Sequence, residues 1–572
     1  MRMPARMNAL MTAILAALFA FELHAGARPA YCTGEPVTVD FDMESIPEPR
    51  ETVQSFYYDF LDATFFQQAK QAFDLPRHFR RLAGRPKEAL NVNCMDEVPD
   101  SSWFTNRNGK RRMTPEEVER GPNRGEGPAG EIWTVIRAKT EGITPGFLIR
   151  DEEGQVYQFK FDPPEYPEMA TAAEVIASRL YYAAGYNVKE NYIVHFTRRQ
   201  LKVDPGAKRK DHLGRTHRMT EDDLDAILAR VARRRNGSYR AVAGKYLDGV
   251  PKGPFSFYGM RADDPNDLIP HEHRRDLRGL RLIAAWLNDN DIREGNTLDM
   301  YVEEDGRRFL KHYLIDTGSA LGSDTTHPNI DRIGNEYQFD AGEIGKAFFS
   351  LGLYRRPWQG GSQKVLHPSV GHIDVENFDP GRWKPNYPIV AFENMTDADA
   401  VWATRIILSF TDEQIRAAVK SGRFSDPEAE ETLTAILIER RDRIGRYWLK
   451  RVNPLANFAV AGSNELRFEN LEVKYGFAEP DQFVYRYTIR SAGDGAILDR
   501  GELRRESIPL AAARAPGVYE IEIETAGNGK PRPRLRVYVR TSDEKGPKLA
   551  GIIRTTRKHH STWMGNQWKH SS

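Results

Sequence analysis

One stretch, AAWLNDNDIREGNTLDMYVEEDGRRFLKHYLIDTG at residues 284–318, constrains the fold of this chain more than any other. Its apolar helical start ends in a polar turn that holds Asp291 and Asn296, and a hairpin turning at 304–306 then leads to Asp316. A carboxylate, an amide and a second carboxylate therefore occupy consecutive turns and strand ends. Phosphoryl transfer needs these groups, because one carboxylate orients the attacking hydroxyl while Asn and Asp hold the magnesium that bridges the phosphates.

Two charged residues further upstream fit the same chemistry. Lys160 lies in VYQFKF, whose alternation predicts a strand, and Glu174 lies one turn into the predicted helix TAAEVIASRLYYAAG. The spacing of Thr171 and Glu174 is that of a capping box, which predicts that the helix begins at Thr171, and Gly185 ends it. In kinases a lysine on the third strand pairs with a glutamate on the next helix and lies over the nucleotide phosphates.

The order of these residues gives the chain a resemblance to a known group of enzymes. From about residue 131 to 322 it resembles the atypical kinases of the HipA, phosphatidylinositol kinase and secretory-pathway protein kinase type. In those kinases, as here, a strand lysine and a helix glutamate precede an Asp-x-x-x-x-Asn loop, a hairpin and an Ile-Asp-x-Gly metal site. The resemblance covers about a third of the chain. It implies a two-lobed α+β fold with ATP in the cleft and Mg²⁺ or Mn²⁺ as the metal. By this match Lys160 binds phosphate, Glu174 orients Lys160, Asp291 is the base, and Asn296 and Asp316 bind metal.

Two parts of the sequence depart from the kinase pattern. The turn between the first two predicted strands, TEGITPGF, lacks a complete G-x-G-x-x-G loop, so Gly142 and Gly146 are the candidates for bringing backbone amides near phosphate. The catalytic loop reads Asn-Asp-Asn-Asp in place of His-Arg-Asp, so Asp289 competes with Asp291 for the role of base. The acceptor hydroxyl is left open, because protein, lipid and sugar hydroxyls all satisfy this chemistry.

Two other classes of protein stay open at this point. In an aspartic protease, Asp316 in LIDTGSALG acts with a second aspartate through a shared proton, yet the chain holds no second Asp-Thr-Gly or Asp-Ser-Gly. In a non-catalytic exported scaffold or surface-binding protein, the kinase-like fold is kept without phosphotransfer. The same side chains also have purely structural interpretations, with Lys160 at a strand edge and Glu174 capping its own helix.

The N-terminus predicts export. Arg2 and Arg6 precede an apolar run at residues 9–21, and small residues follow at Ala25 and Ala27, as in a cleavable secretory signal. The apolar run is well short of the ~20 residues that a spanning helix needs, so we expect no membrane span after cleavage. Lys+Arg 82 against Asp+Glu 81 leaves a net charge of +1, which gives no reason to expect a nucleic-acid partner. We therefore predict a protein of the periplasm, the cell surface or the medium.

The pattern of elements divides the chain into five predicted parts. They are a signal peptide (1–27), a helical and loop extension (28–130), a kinase-like N-lobe with a polar insertion (131–260), a helical kinase-like C-lobe (261–455) and an all-β, sandwich-like domain (464–560). A surface ligand is the partner that we consider for the all-β domain. Cys32 and Cys94 are the only cysteines, and they form either one disulfide or two separate buried thiols.

Two segments rich in aromatic residues are interpreted as packed helices. Aromatic residues recur at helical spacing from residue 52 to 73, and Pro76 stops the pattern, which indicates an amphipathic helix that packs into the core. The stretch GEIGKAFFSLGLY, residues 342–354, is likewise interpreted as a packed helix and not as a membrane element.

Overall fold

A computed structural model describes residues 30–53, 61–139, 144–211, 213–360, 365–373, 375–462, 465–527, 530–542 and 546–555 of the chain. The predicted signal peptide and Gly142 lie outside these residues. Within them helices and sheets are mixed, as in an α+β fold. None of the described helices has the length and apolar character that crossing a membrane demands.

The segment before the first sheet contains short helices and is tied to the end of the chain. It holds a π-helical turn, Asp62–Phe66, and helices α1 (Gln67–Phe73), α2 (Leu75–Leu82) and α3 (Pro115–Arg120). Cys32 and Cys94 form a disulfide, with their Cα atoms 5.6 Å apart. The backbone of Ile552 donates to the Cys94 carbonyl, and that of Cys32 donates to the Ala550 carbonyl. The first described residues are thus joined both to this segment and to the C-terminal sheet.

Helices α1 and α2 are not the buried elements that the sequence predicted. The helical pattern ends at Phe73 as expected, and Pro76 lies in the first turn of α2, where Asp74 accepts the backbone N–H of Arg77 at 3.0 Å. However, Phe73 is 81% exposed, and the buried residues of the two helices are Gln67 and Arg77. Residues 54–60 of the predicted helix lie outside the described residues. For the described part the prediction of core burial was wrong, because helical spacing reveals an apolar face but not the direction in which that face points.

A seven-stranded sheet forms the first large element of the fold. Its strands are β1 (Trp133–Ala138), β2 (Gly146–Arg150), β3 (Val156–Lys160), β4 (Asn191–Phe196), β5 (Leu201–Lys210), β6 (Thr216–Arg218) and β7 (Tyr239–Lys245), in the order β4-β7-β3-β2-β1-β5-β6. The first three strands are antiparallel neighbours. Helix α4 (Met169–Ala184) follows β3 and ends at Gly185, also as predicted. The polar insertion supplies β5, β6 and a short helix α5 (Glu221–Leu228), and β5 pairs in parallel with β1.

A second, largely helical region follows. Its elements are β8 (Val250–Pro251), α6 (Arg275–Leu287), β9 (Thr297–Glu304), β10 (Arg307–Leu314), α7 (Ala341–Phe349), α8 (Val390–Glu393), α9 (Asp397–Ser409), α10 (Asp412–Lys420) and α11 (Pro427–Leu449). The predicted hairpin joins β9 to β10 through Asp305 and Gly306, both at positive φ, as a two-residue turn requires. Tyr181 of α4 and Trp286 of α6 lie in one buried apolar cluster with residues of α9 and α11. Val175 of α4 also packs with Ile193 of β4 and Val242 of β7, so α4 lies between the sheet and the helical region.

Helix α7 also departs from its predicted burial. Phe348 and Phe349 are 75% and 85% exposed, whereas the buried residue of the helix is Glu343. The segment is helical as expected, but its apolar side faces solvent. The cause is the same as in α1 and α2: the sequence marks an amphipathic helix without marking its orientation.

The C-terminal part consists of two antiparallel sheets. Its elements are β11 (Leu455–Ala461), β12 (Glu465–Asn470), α12 (Leu471–Lys474), β13 (Phe483–Ser491), β14 (Ile497–Leu503), β15 (Ser507–Pro509), β16 (Gly517–Gly527), β17 (Lys530–Pro531), β18 (Leu535–Thr541) and β19 (Lys548–Arg554). One sheet has the order β11-β12-β15 and the other β14-β13-β16-β18-β19, with β17 beside β16. Leu466 and Ile508 of the first sheet and Ile521 and Val537 of the second share one buried cluster. The domain boundaries drawn from the sequence stay predictions.

Candidate active site

Lys160 is the last residue of β3, and the alternation of that strand determines where its side chain lies. Phe159 and Phe161 on either side belong to the aromatic core of the sheet, so Lys160 projects from the opposite face. Across the strand pair, Lys160 is opposite Gly146 of β2. A Cβ atom at Gly146 would lie 2.4 Å from the Phe159 carbonyl oxygen, which explains the glycine by close strand packing. The phosphate-binding role of Gly146 stays a prediction.

Helix α4 presents Glu174 to Lys160. The helix begins before Thr171, with Glu168 as its N-cap. The backbone N–H and the hydroxyl of Thr171 donate to the Asp162 carboxylate at 2.8 and 2.7 Å, so the predicted capping box is wrong. Because Glu174 is not needed to cap the helix, its carboxylate is available to Lys160, whose Nζ donates to the two oxygens at 2.9 and 3.1 Å.

Lys160 joins three separate parts of the chain. Its Nζ lies 3.0 Å from Asp316 Oδ1 as well as contacting Glu174, so one ammonium group links β3, α4 and the segment after β10. A second lysine, Lys189, places its Nζ 3.0 Å from Glu174 Oε1. The Thr317 hydroxyl donates to the Glu174 carbonyl at 3.0 Å and attaches the Asp-Thr-Gly turn to α4. Lys160, Lys189 and Glu174 are buried, whereas the Asp316 side chain is 39% exposed.

The charges of this network fix its protonation. Burial opposes the charge of Lys160, but the carboxylates of Asp316 and Glu174 outweigh burial and raise the pKa of Lys160. Burial likewise opposes ionisation of Asp316, yet Lys160, Lys189 and Lys139 hold the pKa of Asp316 well below its usual range. Burial lowers the pKa of Lys189, and it lowers the pKa of Lys139 to about 8. Asp316 is therefore an anion at neutral pH.

The loop after α6 brings Asp291 and Asn296 beside Asp316. Asn296 Nδ2 donates to Asp291 Oδ2 at 2.9 Å and to the Asp291 carbonyl at 2.8 Å, and Arg293 Nε donates to Asp291 Oδ1 at 3.2 Å. The backbone N–H of Ile315 donates to the Asn296 carbonyl at 3.0 Å. This bond attaches the loop directly to the residue that precedes Asp316.

The two candidate bases lie in different surroundings. Asn288 adopts a left-handed conformation, φ 51°, that ends α6, and Asp289 follows as a residue only 1% exposed. Its Oδ2 accepts the Tyr181 hydroxyl at 2.8 Å, and burial raises the pKa of Asp289 to about 8. Burial also raises the pKa of Asp291, to about 6, while its side chain is 28% exposed. At neutral pH Asp291 is mostly ionised and open to solvent, whereas Asp289 is mostly protonated and enclosed.

The donor set at Asp316 suits a hard divalent cation. Asp316 offers a carboxylate, and Asn296 offers an amide oxygen that takes no part in the bonds to Asp291. Mg²⁺ binds proteins through one or two such groups together with substrate phosphates and water. Among the described residues no group of three or more His, Cys, Asp or Glu side chains is arranged to hold a metal. The side chains therefore fit Mg²⁺ or Mn²⁺ that shares its coordination with a phosphorylated ligand.

Two lysines of the site were not found from the sequence. Lys189 lies in YNVKEN between α4 and β4, where no periodic pattern distinguishes it. Lys139 directly follows β1, and its Nζ donates to the Thr144 hydroxyl at 2.6 Å. The only signal for either residue is a lysine next to a predicted strand, which is too common to identify a site. Tertiary folding alone brings Lys139 and Lys189 to Asp316.

Comparison with known proteins gives matches among solved structures only. No protein-family model and no curated protein sequence matches the chain. The Helicobacter pylori proinflammatory kinase CtkA matches with a TM-score of 0.29 and 12% identity, over 55% of this chain and 94% of that one. The Golgi casein kinase matches with a TM-score of 0.26 and 10% identity, over 70% and 95% of the two chains. The same kinase with Mn/ADP bound matches with a TM-score of 0.25 and 11% identity, over 72% and 97%. These neighbours are kinases.

Proposed function

We propose that the chain is a kinase-like phosphotransferase that moves the γ-phosphoryl group of ATP to a hydroxyl with the help of Mg²⁺ or Mn²⁺. One observation carries the proposal: Lys160 Nζ contacts both Glu174, at 2.9 Å, and Asp316, at 3.0 Å, beside the loop that holds Asp291 and Asn296. Phosphoryl transfer in kinases uses these five groups, namely a lysine fixed by a helix glutamate, a metal-binding aspartate and asparagine, and an aspartate at the acceptor.

Lys160 is the residue proposed to hold the nucleotide phosphates. The two carboxylate oxygens of Glu174 fix the Lys160 ammonium group. Lys189 Nζ contacts the same carboxylate at Oε1. Lys160 pairs with Asp316 at 3.0 Å, so phosphate oxygens would compete with Asp316 for one cation. We expect bound nucleotide to take Lys160 from Asp316 and to leave the Asp316 carboxylate, with Asn296, for the metal. The metal would neutralise charge on the transferring phosphates.

Asp291 is the residue proposed to orient the acceptor hydroxyl and take its proton. Its pKa of about 6 leaves it mostly ionised at neutral pH, as a base must be, and still close to the working pH. Arg293 and Asn296 each bond one oxygen of the carboxylate and thereby fix its orientation. Asp289 is proposed as a structural residue, because its neutral carboxyl is enclosed with Tyr181.

The alternatives differ in what they require of Asp316. An aspartic protease needs a second carboxyl that shares a proton with Asp316, whereas Asp316 contacts the Lys160 ammonium group. A non-catalytic scaffold requires no response to nucleotide, so one experiment separates it from the kinase. The identity of the acceptor as a protein, lipid or sugar, the export of the chain and a surface ligand for the C-terminal sheets are proposals that rest on the sequence pattern.

Thermal denaturation of residues 28–572, with and without ATP and Mg²⁺ or Mn²⁺, tests the proposal. A ligand at a hundred times its Kd stabilises the folded state by about 2.7 kcal/mol, which is readily seen as a rise in melting temperature. We expect Asp316→Asn to lose the metal-dependent part of the shift. Asp222→Asn, at an exposed aspartate in the first turn of α5, is the matched control and keeps the full shift. A wild-type chain that responds to no nucleotide contradicts the proposal, and an unchanged shift in Asp316→Asn removes Asp316 from the site.

A further inference from the structure

Four short elements turn their polar side chains toward the protein and their apolar side chains toward solvent. In the π-helical turn, α1, α2 and α7, the buried residues are Thr64, Gln67, Arg77 and Glu343. In and just after these elements, Phe73, Phe79, Phe348, Phe349, Leu351 and Leu353 are between 63% and 92% exposed. An ordinary surface helix has the opposite arrangement, with its apolar stripe facing the core.

Hydrogen bonds hold this inverted orientation in place. Arg77 Nη2 donates to the Glu393 carbonyl at 3.0 Å, on the protein side of α2. Lys384 Nζ donates to Asp340, the N-cap residue of α7, at 2.6 Å and ties the start of that helix to a distant part of the chain. Rotation of α2 to bury its apolar side would break the bond between Arg77 and the Glu393 carbonyl and leave both groups without that partner.

The two segments that carry the exposed apolar residues adjoin. The Phe65 and Phe339 rings lie 5.2 Å apart, and Gln68 Nε2 donates to the Phe339 carbonyl at 2.7 Å, so the two parts of the chain adjoin. Seven of the eight exposed phenylalanines in the described residues belong to 61–82 or 339–353, which together we call the apolar face. Large exposed apolar side chains concentrated on two adjoining segments of a folded protein mark a docking site.

The charge around the apolar face is positive, although the whole chain is almost neutral. Residues 61–90 contain six Lys or Arg against three Asp or Glu, and residues 339–360 contain three against two. Among these, Arg81, Arg85 and Arg355 are exposed. Large apolar side chains next to arginines are the composition of helices that lie in the interface of an anionic bilayer.

We propose that the apolar face docks on the surface of an anionic phospholipid bilayer. The aromatic and aliphatic side chains enter the boundary between headgroups and acyl chains, and the flanking arginines contact the anionic headgroups. A second copy of the chain is a poorer occupant, because face-to-face association would bring the two basic rims together. Docking of this type needs no spanning helix. It also does not depend on phosphotransfer, so it stands or fails separately from the proposed function.

Vesicle sedimentation with residues 28–572, a chain that keeps every described residue, tests the proposal. We expect the wild type to sediment with vesicles of phosphatidylcholine containing about a third phosphatidylglycerol, but not with phosphatidylcholine alone. Phe348→Ser with Phe349→Ser, and separately Phe73→Ser with Phe79→Ser, are expected to weaken binding about tenfold or more. Ile497→Ser with Leu498→Ser, at exposed apolar residues of β14, is the matched control and binds like the wild type. Because all these side chains are exposed, circular dichroism should show unchanged folding.

Three results would overturn the proposal. A wild-type chain that stays in the supernatant with anionic vesicles would exclude lipid docking. Equal loss of binding in the β14 control would show that the apolar face is not the site. A wild-type dimer in light scattering that becomes a monomer in the Phe348→Ser, Phe349→Ser chain would assign the face to a second copy instead.

Discussion

Replacing Asp289 with asparagine tests the electrostatics of the candidate site without reference to any substrate. The Asp289 carboxyl is buried and accepts the Tyr181 hydroxyl, and burial raises its pKa from 3.8 to about 8. The folded protein therefore keeps a proton on Asp289 at pH values where the unfolded chain has lost it. Unfolding then releases a proton, and stability falls as pH rises through the window between 3.8 and about 8.

The size of this effect follows from the shift in pKa. Each pH unit inside the window lowers the free energy of unfolding by about 1.36 kcal/mol, so the loss from about pH 5 to about pH 7 is about 2.7 kcal/mol. For a cooperative unit of 150–250 residues this is roughly 5–10 °C in melting temperature. Asparagine carries no proton to lose, while its side-chain oxygen still accepts the Tyr181 hydroxyl. Asp289→Asn should therefore gain stability over the wild type as the pH rises.

The measurement is the thermal midpoint followed by circular dichroism in buffers from about pH 5 to about pH 8. The quantity to compare is the difference between variant and wild type at each pH, because that difference removes the titration of all other groups. Asp222→Asn, at the exposed aspartate of α5, is the control and should follow the wild type. Parallel curves for Asp289→Asn and wild type would refute the assignment of a neutral, buried carboxyl at this position.

Two further predictions concern other charged residues of the candidate site. Glu174→Gln leaves the ammonium groups of Lys160 and Lys189 without their shared anion. We expect the free energy of unfolding, measured by heat or denaturant, to fall by roughly 3–5 kcal/mol, and Glu174→Asp to recover part of this loss. Arg293→Ala removes the cation 3.2 Å from Asp291 and should raise the Asp291 pKa. The acid limb of the pH profile of kcat/KM should then move above about pH 6. An acid limb that does not move would argue against Asp291 as the base.

The local elements around the site were predictable because their signals are periodic. Alternation in VYQFKF placed Lys160 on a strand, and the turn at Asp305 and Gly306 placed a hairpin before Asp316. The start of α4 was missed because the capping-box spacing of Thr171 and Glu174 occurs without capping. In this case tertiary partners, Asp162 for the threonine and Lys160 for the glutamate, outcompeted the helix N-terminus.

Properties that depend on direction and on long-range contacts were not predictable in the same way. The orientation of α1, α2 and α7 depends on which polar side chains find partners on the body of the protein, such as Arg77 with the Glu393 carbonyl. Lys189 joins the site only because β4 begins next to α4 in space. A single sequence carries no record of either contact. The protonation of Asp289 likewise required its depth of burial, which NDND as a turn sequence does not indicate.

The balance of charge in the site favours an anionic ligand independently of any comparison. Lys139, Lys160 and Lys189 surround Glu174 and Asp316, so three cationic groups face two anionic ones. A buried ammonium group without its own counterion is costly, and the lowered pKa values of Lys139 and Lys189 reflect that cost. A polyphosphate would supply the missing negative charge and relieve it. If the polyphosphate also drew Lys160 away from Asp316, the Asp316 carboxylate would lose its cation and would favour a divalent cation in its place. Nucleotide and metal should therefore bind with positive cooperativity at this site.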